Sequence, residues 1–130
     1  MILFTRLSKA AIGIFGVSGV ILGALGAHLL RPQLTASGQV ETWQTAVVYH
    51  LIHTVAALAL WVYLEAVKNP PRLAAAALLS WLTGVLFFSG SLYVLALGGP
   101  RWLGPVTPCG GLLLIFGWSC LLLATFRRES

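Results

Sequence analysis

Charged side chains are scarce in this sequence, and carboxylates are the scarcest of them. Only 8% of the 130 residues are charged, 58% are hydrophobic, and Asp and Glu together number three. A soluble domain uses about 25% charged residues to cover its surface. The composition therefore excludes an ordinary soluble domain and predicts an exterior that faces a lipid bilayer. The excess of Lys and Arg does not indicate nucleic-acid binding, because these residues lie in short connections and near the termini, where positive charge orients membrane proteins.

Cysteine is also rare. Cys109 and Cys120 are the two cysteines of the chain, and on one helix they would lie about 16 Å apart, which is too far for a disulfide. We interpret both as small apolar packing residues.

The signatures of common catalytic sites are missing as well. The sequence has no His-Glu-x-x-His motif, no glycine loop for phosphate, no paired carboxylates and no nucleophile with a recognisable base. We therefore predict that the protein is not an enzyme.

A small multidrug exporter is excluded for a related reason. That class of transporter needs a carboxylate within the membrane, whereas Glu41 and Glu65 both lie at the predicted membrane boundaries.

The charges that are present divide the chain into four long uncharged stretches. They lie between Lys9 and Arg31, Glu41 and Glu65, Arg72 and Arg101, and Arg101 and Arg127. Each stretch exceeds the roughly 20 apolar residues that cross a bilayer, and lipid requires such a segment to be helical. Proline and glycine signals refine the ends: Arg31-Pro32, Asn69-Pro70, Gly98-Gly99-Pro100 and Thr107-Pro108. We predict an all-α fold, one domain over residues 1–130, formed by a bundle of four transmembrane helices at about 10–30, 42–64, 70–97 and 108–126.

Span one has the basic lead and small-residue end of a cleavable signal peptide, but its apolar run is longer than the usual 7–15 residues. It also carries glycines at spacings of three and four, which we interpret as one helix-packing stripe: Gly13, Gly16, Gly19, Gly23 and Gly26. A discarded peptide needs no such stripe. We predict a retained span.

The basic residues predict the orientation of the bundle. Six of them lie at the termini and between spans two and three: Arg6, Lys9, Lys68, Arg72, Arg127 and Arg128. Only Arg31 and Arg101 lie on the opposite side, so both termini are expected in the cytoplasm. The resulting boundaries would carry an aromatic belt of Trp43 and Trp102 outside and Trp61 and Tyr63 inside.

Polar side chains within the spans gather in the predicted outer half. They include Ser89, Ser91 and Tyr93 on span three, Thr107 at the start of span four, and Tyr49 and His53 on span two. Together with His28, near the end of span one, these residues form the candidate ligand site. Trp81 and Trp118 fall at similar depth further in, where we expect them to pack with Ser80, Thr83 or Ser119 near their indole N–H groups.

Three interpretations of this cluster stay open. His28, His50 and His53 could offer nitrogen to a metal, a haem or a quinone-like group, since intramembrane ionisable residues are functional candidates by default. The same groups could hold the bundle together through hydrogen bonds between helices. A proton relay is the third interpretation. No cofactor is identified by the sequence.

Several motifs together resemble the YgdD/YwdK family of small bacterial inner-membrane proteins, which are related to eukaryotic transmembrane protein 256. The motifs are Gly23-Ala24-Leu25-Gly26-Ala27-His28, Trp43-Gln44-Thr45-Ala46, Tyr49 to His53, Phe88-Ser89-Gly90-Ser91-Leu92-Tyr93, Thr107-Pro108-Cys109-Gly110-Gly111 and Gly117-Trp118. The resemblance implies a four-span membrane protein without an established activity. It also implies that His28, His53, Ser89, Ser91, Tyr93 and Thr107 match the family pattern, whereas His50 resembles a variable position.

These observations predict a small multi-pass protein of the bacterial cytoplasmic membrane with a structural or accessory role. Its expected partners are the lipid bilayer and either another copy of itself or a larger membrane complex. The alternative is a binder or transporter of a small ligand (a metal, haem, quinone or lipid) through the outer-half polar cluster.

Overall fold

The computed structural model describes residues 2–126, with side chains from Arg6 onward, and these residues form five α-helices and one short 3-10 helix. The elements are α1 (Ile2–Ala27), α2 (Arg31–Ala36), α3 (Val40–Ala66), α4 (Arg72–Ala96), the 3-10 helix (Arg101–Leu103) and α5 (Val106–Phe126). No strand occurs within this part of the chain.

Four helical segments are long and apolar enough to cross a membrane. They are Arg6–Ala27, Val40–Ala66, Arg72–Ala96 and Arg101–Phe126, with mean hydropathies between 1.7 and 2.0. The predicted all-α fold with four membrane-spanning helices is confirmed.

The first connection differs from its prediction. Helix α1 ends at Ala27 and not near Leu30, and Pro32 lies in the first turn of a second helix, α2, instead of ending the first. Proline is tolerated in a first helical turn because the N–H that it lacks would have no partner there. The segment is a folded part of the protein, since Leu34 is 1% exposed and packs in the core.

The starts of the last two long helices also shift. Helix α4 begins at Arg72, after Pro71, so Asn69 does not cap it. Helix α5 begins at Val106 and takes Pro108 into its first turn. A proline that is allowed in the first turn does not fix which residue starts the helix.

The long helices pack in chain order, α1 on α3, α3 on α4 and α4 on α5, and α1 makes little contact with α4. In the most apolar stretch of each helix, half of the residues of α4 are buried, against 17% of those of α1. Helix α4 is therefore central and α1 peripheral.

The bundle has two ends, which carry different connections. We call the half towards residues 28–39 and 97–105 the loop half, and the half towards Arg6, residues 67–71 and Phe126 the terminal half. A small core cluster that includes Leu34, Trp43 and Tyr93 lies in the loop half. A larger apolar cluster, centred on Trp81, extends into the terminal half.

Glycines let α4 and α5 approach each other closely. A Cβ atom at Gly110 would strike the backbone of Phe87 and Phe88, and one at Gly84 would lie 3.1 Å from the Leu114 backbone nitrogen. Gly117 leaves room for the indole of Trp81. Small residues at helix contacts are the usual basis of tight packing within lipid.

The glycine stripe of α1 does not form one packing face. Cβ atoms at Gly19, Gly23 and Gly26 would meet side chains of α3, whereas Gly13 and Gly16 have nothing within 4 Å. At about 100° per residue, Gly13 lies roughly 120° around the helix from Gly19. The predicted packing role is thus restricted to the three glycines nearest the loop half.

Candidate functional site

The predicted polar cluster divides into separate contacts between pairs of helices. His50, on α3, is 5% exposed and lies between α1 and α4. Its Nε2 atom is 3.4 Å from the Ser18 hydroxyl oxygen, and its Nδ1 atom is 3.1 Å from the Tyr93 hydroxyl oxygen. Ser18 donates its one hydroxyl proton to the Phe15 carbonyl oxygen. The two ring nitrogens of His50 therefore connect α3 to α1 on one side and to α4 on the other.

His53, one turn further along α3, faces α5 instead. Its Nδ1 atom lies 2.9 Å from the Tyr49 carbonyl oxygen, and its Nε2 atom lies 3.1 Å from Trp118 Nε1. A carbonyl can only accept and an indole N–H can only donate, so the ring is neutral with its proton on Nδ1. Both nitrogens are therefore occupied by protein groups, and neither has a free lone pair for a metal or haem iron.

Serine hydroxyls join α4 to both of its neighbours. Ser89, 1% exposed, donates to the Ala46 carbonyl oxygen of α3 at 2.8 Å. Ser91 and Thr107 share a hydrogen bond of 2.6 Å between α4 and α5. At mid-height, Ser80 donates to the Leu113 carbonyl oxygen at 2.7 Å.

Two predicted site residues stand apart from these contacts. His28 is exposed in the turn after α1. Tyr49 is 42% exposed; its ring stacks on that of His53, with centroids 5.8 Å apart, and is tilted against that of Phe88 at 4.6 Å. The three histidines do not converge, and no group of three His, Cys, Asp or Glu side chains among the described residues could hold a metal ion. Residues three apart differ by about 60° around a helix, which turns His50 and His53 towards different neighbours.

Several hydrogen bonds that tryptophans make to other helices were not predicted from the sequence. Trp43 is 2% exposed and donates from Nε1 to the Leu22 carbonyl oxygen at 2.9 Å, so it lies in the core and not in an aromatic belt. Trp118 bonds to His53, whereas Ser80, Thr83 and Ser119 bond to backbone carbonyl oxygens. Sequence does indicate that a buried indole N–H needs a hydrogen-bond acceptor. It does not indicate which helix supplies that acceptor, because this depends on how the helices pack.

Nearly all buried polar side-chain atoms have partners. In the described part of the chain, Trp81 Nε1 alone is buried without a hydrogen bond, and it lies against Gly117. Cys109 is exposed and Cys120 is buried, both as free thiols.

A separate apolar groove opens in the terminal half, between α3 and α5, with α4 as its floor. Its volume is about 450 Å³. The Trp81 and Trp118 rings, with centroids 4.4 Å apart, lie at its mid-bundle end. The groove is lined mainly by small and aliphatic side chains: Ala56, Ala59, Leu60, Ala74, Leu121 and Ala124.

Comparison with known proteins places the chain in a family. The family profile described as "Protein of unknown function (DUF423)" matches residues 22–111. A UPF0382 membrane protein of Haemophilus influenzae is 38% identical over 120 residues, covering 92% of this chain and 93% of the relative. One from Staphylococcus saprophyticus is 37% identical over 107 residues, covering 81% and 84%. The UPF0382 membrane protein YwdK of Bacillus subtilis is 33% identical over 108 residues, covering 82% and 85%.

No solved structure matches the chain. The resemblance to the YwdK group that the motifs indicated is confirmed by the relatives. Long coverage, identities above 30% and the profile match lead to one conclusion: this chain belongs to the DUF423 family of membrane proteins, whose function is unknown.

Proposed function

We propose that this protein is a non-catalytic structural or accessory component of the bacterial cytoplasmic membrane. The observation that carries the proposal is the internal pairing of the polar cluster. His50, His53, Ser89 and Ser91 each bond to a group of the protein itself. Side chains that are poised for a ligand would be expected to leave a donor or acceptor directed into a cavity.

The hydrogen bonds between helices have a clear structural use. Apolar contacts between helices gain little over contacts with lipid tails, so polar bonds and close packing decide which helices associate. Ser18, His50 and Tyr93 connect α1, α3 and α4, and His53 with Trp118 connects α3 and α5. Six of the residues singled out from sequence thus have a role in joining helices: His50, His53, Ser89, Ser91, Tyr93 and Thr107.

The positive charge of the terminal half supports a cytoplasmic location for both termini. Arg6, Lys9, Lys68 and Arg72 lie at that end, against Arg31 and Arg101 at the other. Fusing the full chain at its C-terminus to green fluorescent protein should give fluorescent cells. An alkaline phosphatase fusion at the same position should be inactive, and the reverse pattern would contradict the orientation.

An accessory role also requires a partner, which we propose is a second copy or a larger membrane complex. Helix α1 supports this proposal because it packs on α3 along one side and leaves Gly13 and Gly16 uncovered. Chemical cross-linking in intact membranes should yield a discrete adduct that weakens in Gly13→Leu. An adduct of unchanged yield would exclude this face.

The central test is whether gently purified protein contains a bound metal or chromophore. We expect metal analysis to find no stoichiometric metal and the visible spectrum to show no haem or flavin band. His53→Ala should lower the denaturation temperature of the protein, and His28→Ala should leave it unchanged. A stoichiometric metal or chromophore that disappears in His53→Ala would overturn the proposal in favour of a ligand site.

A further inference from the structure

The groove in the terminal half has the dimensions of a small-ligand site. Three of the long helices line it, each over eight residues and therefore seven helical steps: 56–63 on α3, 74–81 on α4 and 118–125 on α5. At 1.5 Å per residue this gives a length of about 10 Å. The volume of about 450 Å³ lies within the range of roughly 300–1,000 Å³ that is typical of ligand pockets.

The length of the groove argues against a transmembrane helix as its occupant. A partner helix has to cross about 30 Å of hydrocarbon. The groove extends along about a third of that distance and stops at the paired rings of Trp81 and Trp118. The hydrogen bond from Trp118 to His53 holds that end in place. A flexible chain that enters from the membrane boundary and ends at mid-depth fits this shape.

The open end of the groove lies beside positive charge. Pro71 lines the groove, Arg72 follows it directly and Lys68 precedes it by three residues. Both basic residues are exposed. Arg6 and Lys9 of α1 lie at the same end, and Glu65 is the carboxylate that opposes them among the described residues. An apolar slot with a basic rim is complementary to a lipid that has an apolar tail and an anionic head group.

We propose that this groove binds one acyl chain of an anionic phospholipid, whose head group is held at Lys68 and Arg72. The chain end lies against the two tryptophans, and the small side chains of Ala56 and Ala59 leave the room that it occupies. This inference goes beyond the structural role proposed above. It requires that the protein sits in a bilayer, but it holds for either orientation.

The test uses the full chain in lipid nanodiscs of phosphatidylcholine with a minor fraction of phosphatidylglycerol. Native mass spectrometry, with the disc removed in the gas phase, counts the lipids that each protein retains. We expect one retained phosphatidylglycerol, enriched over its share of the disc. Ala56→Leu and Ala59→Leu, which fill the slot, should abolish the enrichment. Ala10→Leu, an equal change on the far side of the bundle, should preserve it.

Charge variants test the head-group site. Arg72→Gln and Lys68→Gln should each lower the preference for phosphatidylglycerol about fivefold, the effect of one basic residue near an anionic surface. Arg31→Gln and Arg101→Gln remove equal charge at the opposite end and should leave the preference unchanged. Thermal denaturation of each variant identifies any that fail to fold. Lys68→Gln, in the connection between helices, keeps the test available if Arg72→Gln destabilises α4.

The remaining outcomes would overturn the proposal. Equal retention of both lipids would show that the head group is not recognised. Retention that is unaffected by Ala59→Leu would place the lipid elsewhere on the protein. A dimer that is lost in Ala59→Leu would identify a second copy as the occupant. The structural role proposed above fails on a different measurement, the detection of a bound metal or chromophore.

Discussion

The loop half and the terminal half of the bundle are held together by different contacts. In the loop half, hydrogen bonds join neighbouring helices at Ser18, His50 and Tyr93, and at Ser89 and Ser91. In the terminal half, apolar packing dominates, and α3 and α5 separate around a groove. The contrast shows how a membrane protein can fix its helices at one end and leave an apolar opening at the other.

Hydrogen bonds between helices and close helix contacts at glycine also differ in how much they are expected to stabilise the protein. An interhelical hydrogen bond in a membrane protein contributes about 0.6 kcal/mol on average and at most about 1.7 kcal/mol. Overpacking a close contact costs about 1–3 kcal/mol and occasionally more. The glycine contacts of α4 and α5 should therefore outweigh any single polar bond, and substitutions can rank the two kinds of contact.

The largest effect is expected from Gly110→Ala. The added Cβ would meet the backbone of Phe87 and Phe88, which cannot move aside as a side chain can. We expect a loss of about 3 kcal/mol in the free energy of unfolding, measured by denaturant titration in mixed micelles. Gly111→Ala is the matched control, because its Cβ would lie in ordinary contact, 3.6 Å from the Phe88 ring. Equal losses in the two variants would contradict the close approach of α4 and α5.

His53→Ala should have the next largest effect. It removes the acceptor of the Trp118 indole and leaves a cavity beside Trp81, at a cost of about 2 kcal/mol. The same titration measures it, and the tryptophan emission of the protein should change because Trp118 loses its partner. His28→Ala, at an exposed position, should stay within about 0.5 kcal/mol of the wild-type protein. A larger loss from His28 than from His53 would refute the assignment of contacts.

Tyr93→Phe probes the loop half with a single atom. It removes the hydroxyl that bonds to His50 Nδ1 and should cost about 1 kcal/mol. Tyr49→Phe, at a residue 42% exposed, should cost less than half as much. If the two variants are indistinguishable in unfolding free energy, the His50 contact does not stabilise the loop half.

The smallest effect is expected in the terminal half. Ala59 lines the groove and is exposed, so Ala59→Leu should change the free energy of unfolding by no more than about 0.5 kcal/mol. Ala57, two residues earlier on the same helix, is 1% exposed, and Ala57→Leu should cost about 1–3 kcal/mol by overpacking. A severe loss in Ala59→Leu would show that the groove is closed and would remove the contrast between the halves.

The fold could be predicted from sequence because lipid imposes a simple rule. Charged residues such as Arg31, Glu41 and Arg101 are costly in the hydrocarbon core, so they lie at or beyond the ends of the spans and their positions divide the chain. The exact ends of the helices were harder to predict from the sequence. Pro32 and Pro108 are compatible with the first turn of a helix as well as with the end of the preceding one.

The candidate site was predicted by residue type but not by partner. Sequence placed His53 and Ser89 in the polar region, yet the donor to His53, the Trp118 indole, and the acceptor from Ser89, the Ala46 carbonyl oxygen, lie on other helices. Such pairings depend on which helices are neighbours and on how each is rotated. The groove was not predicted for the same reason, since alanines such as Ala56 and Ala74 carry no signal until three helices enclose them.

A double-mutant cycle between His53 and Trp118 tests most directly whether hydrogen bonds between helices stabilise the bundle. The free energy of unfolding would be measured for metal-free wild-type protein, His53→Ala, Trp118→Phe and the double variant. We predict a favourable coupling of about 1 kcal/mol, because each single change already removes the bond between α3 and α5. A coupling of zero, or one that arises only when a metal ion is added, would contradict the account.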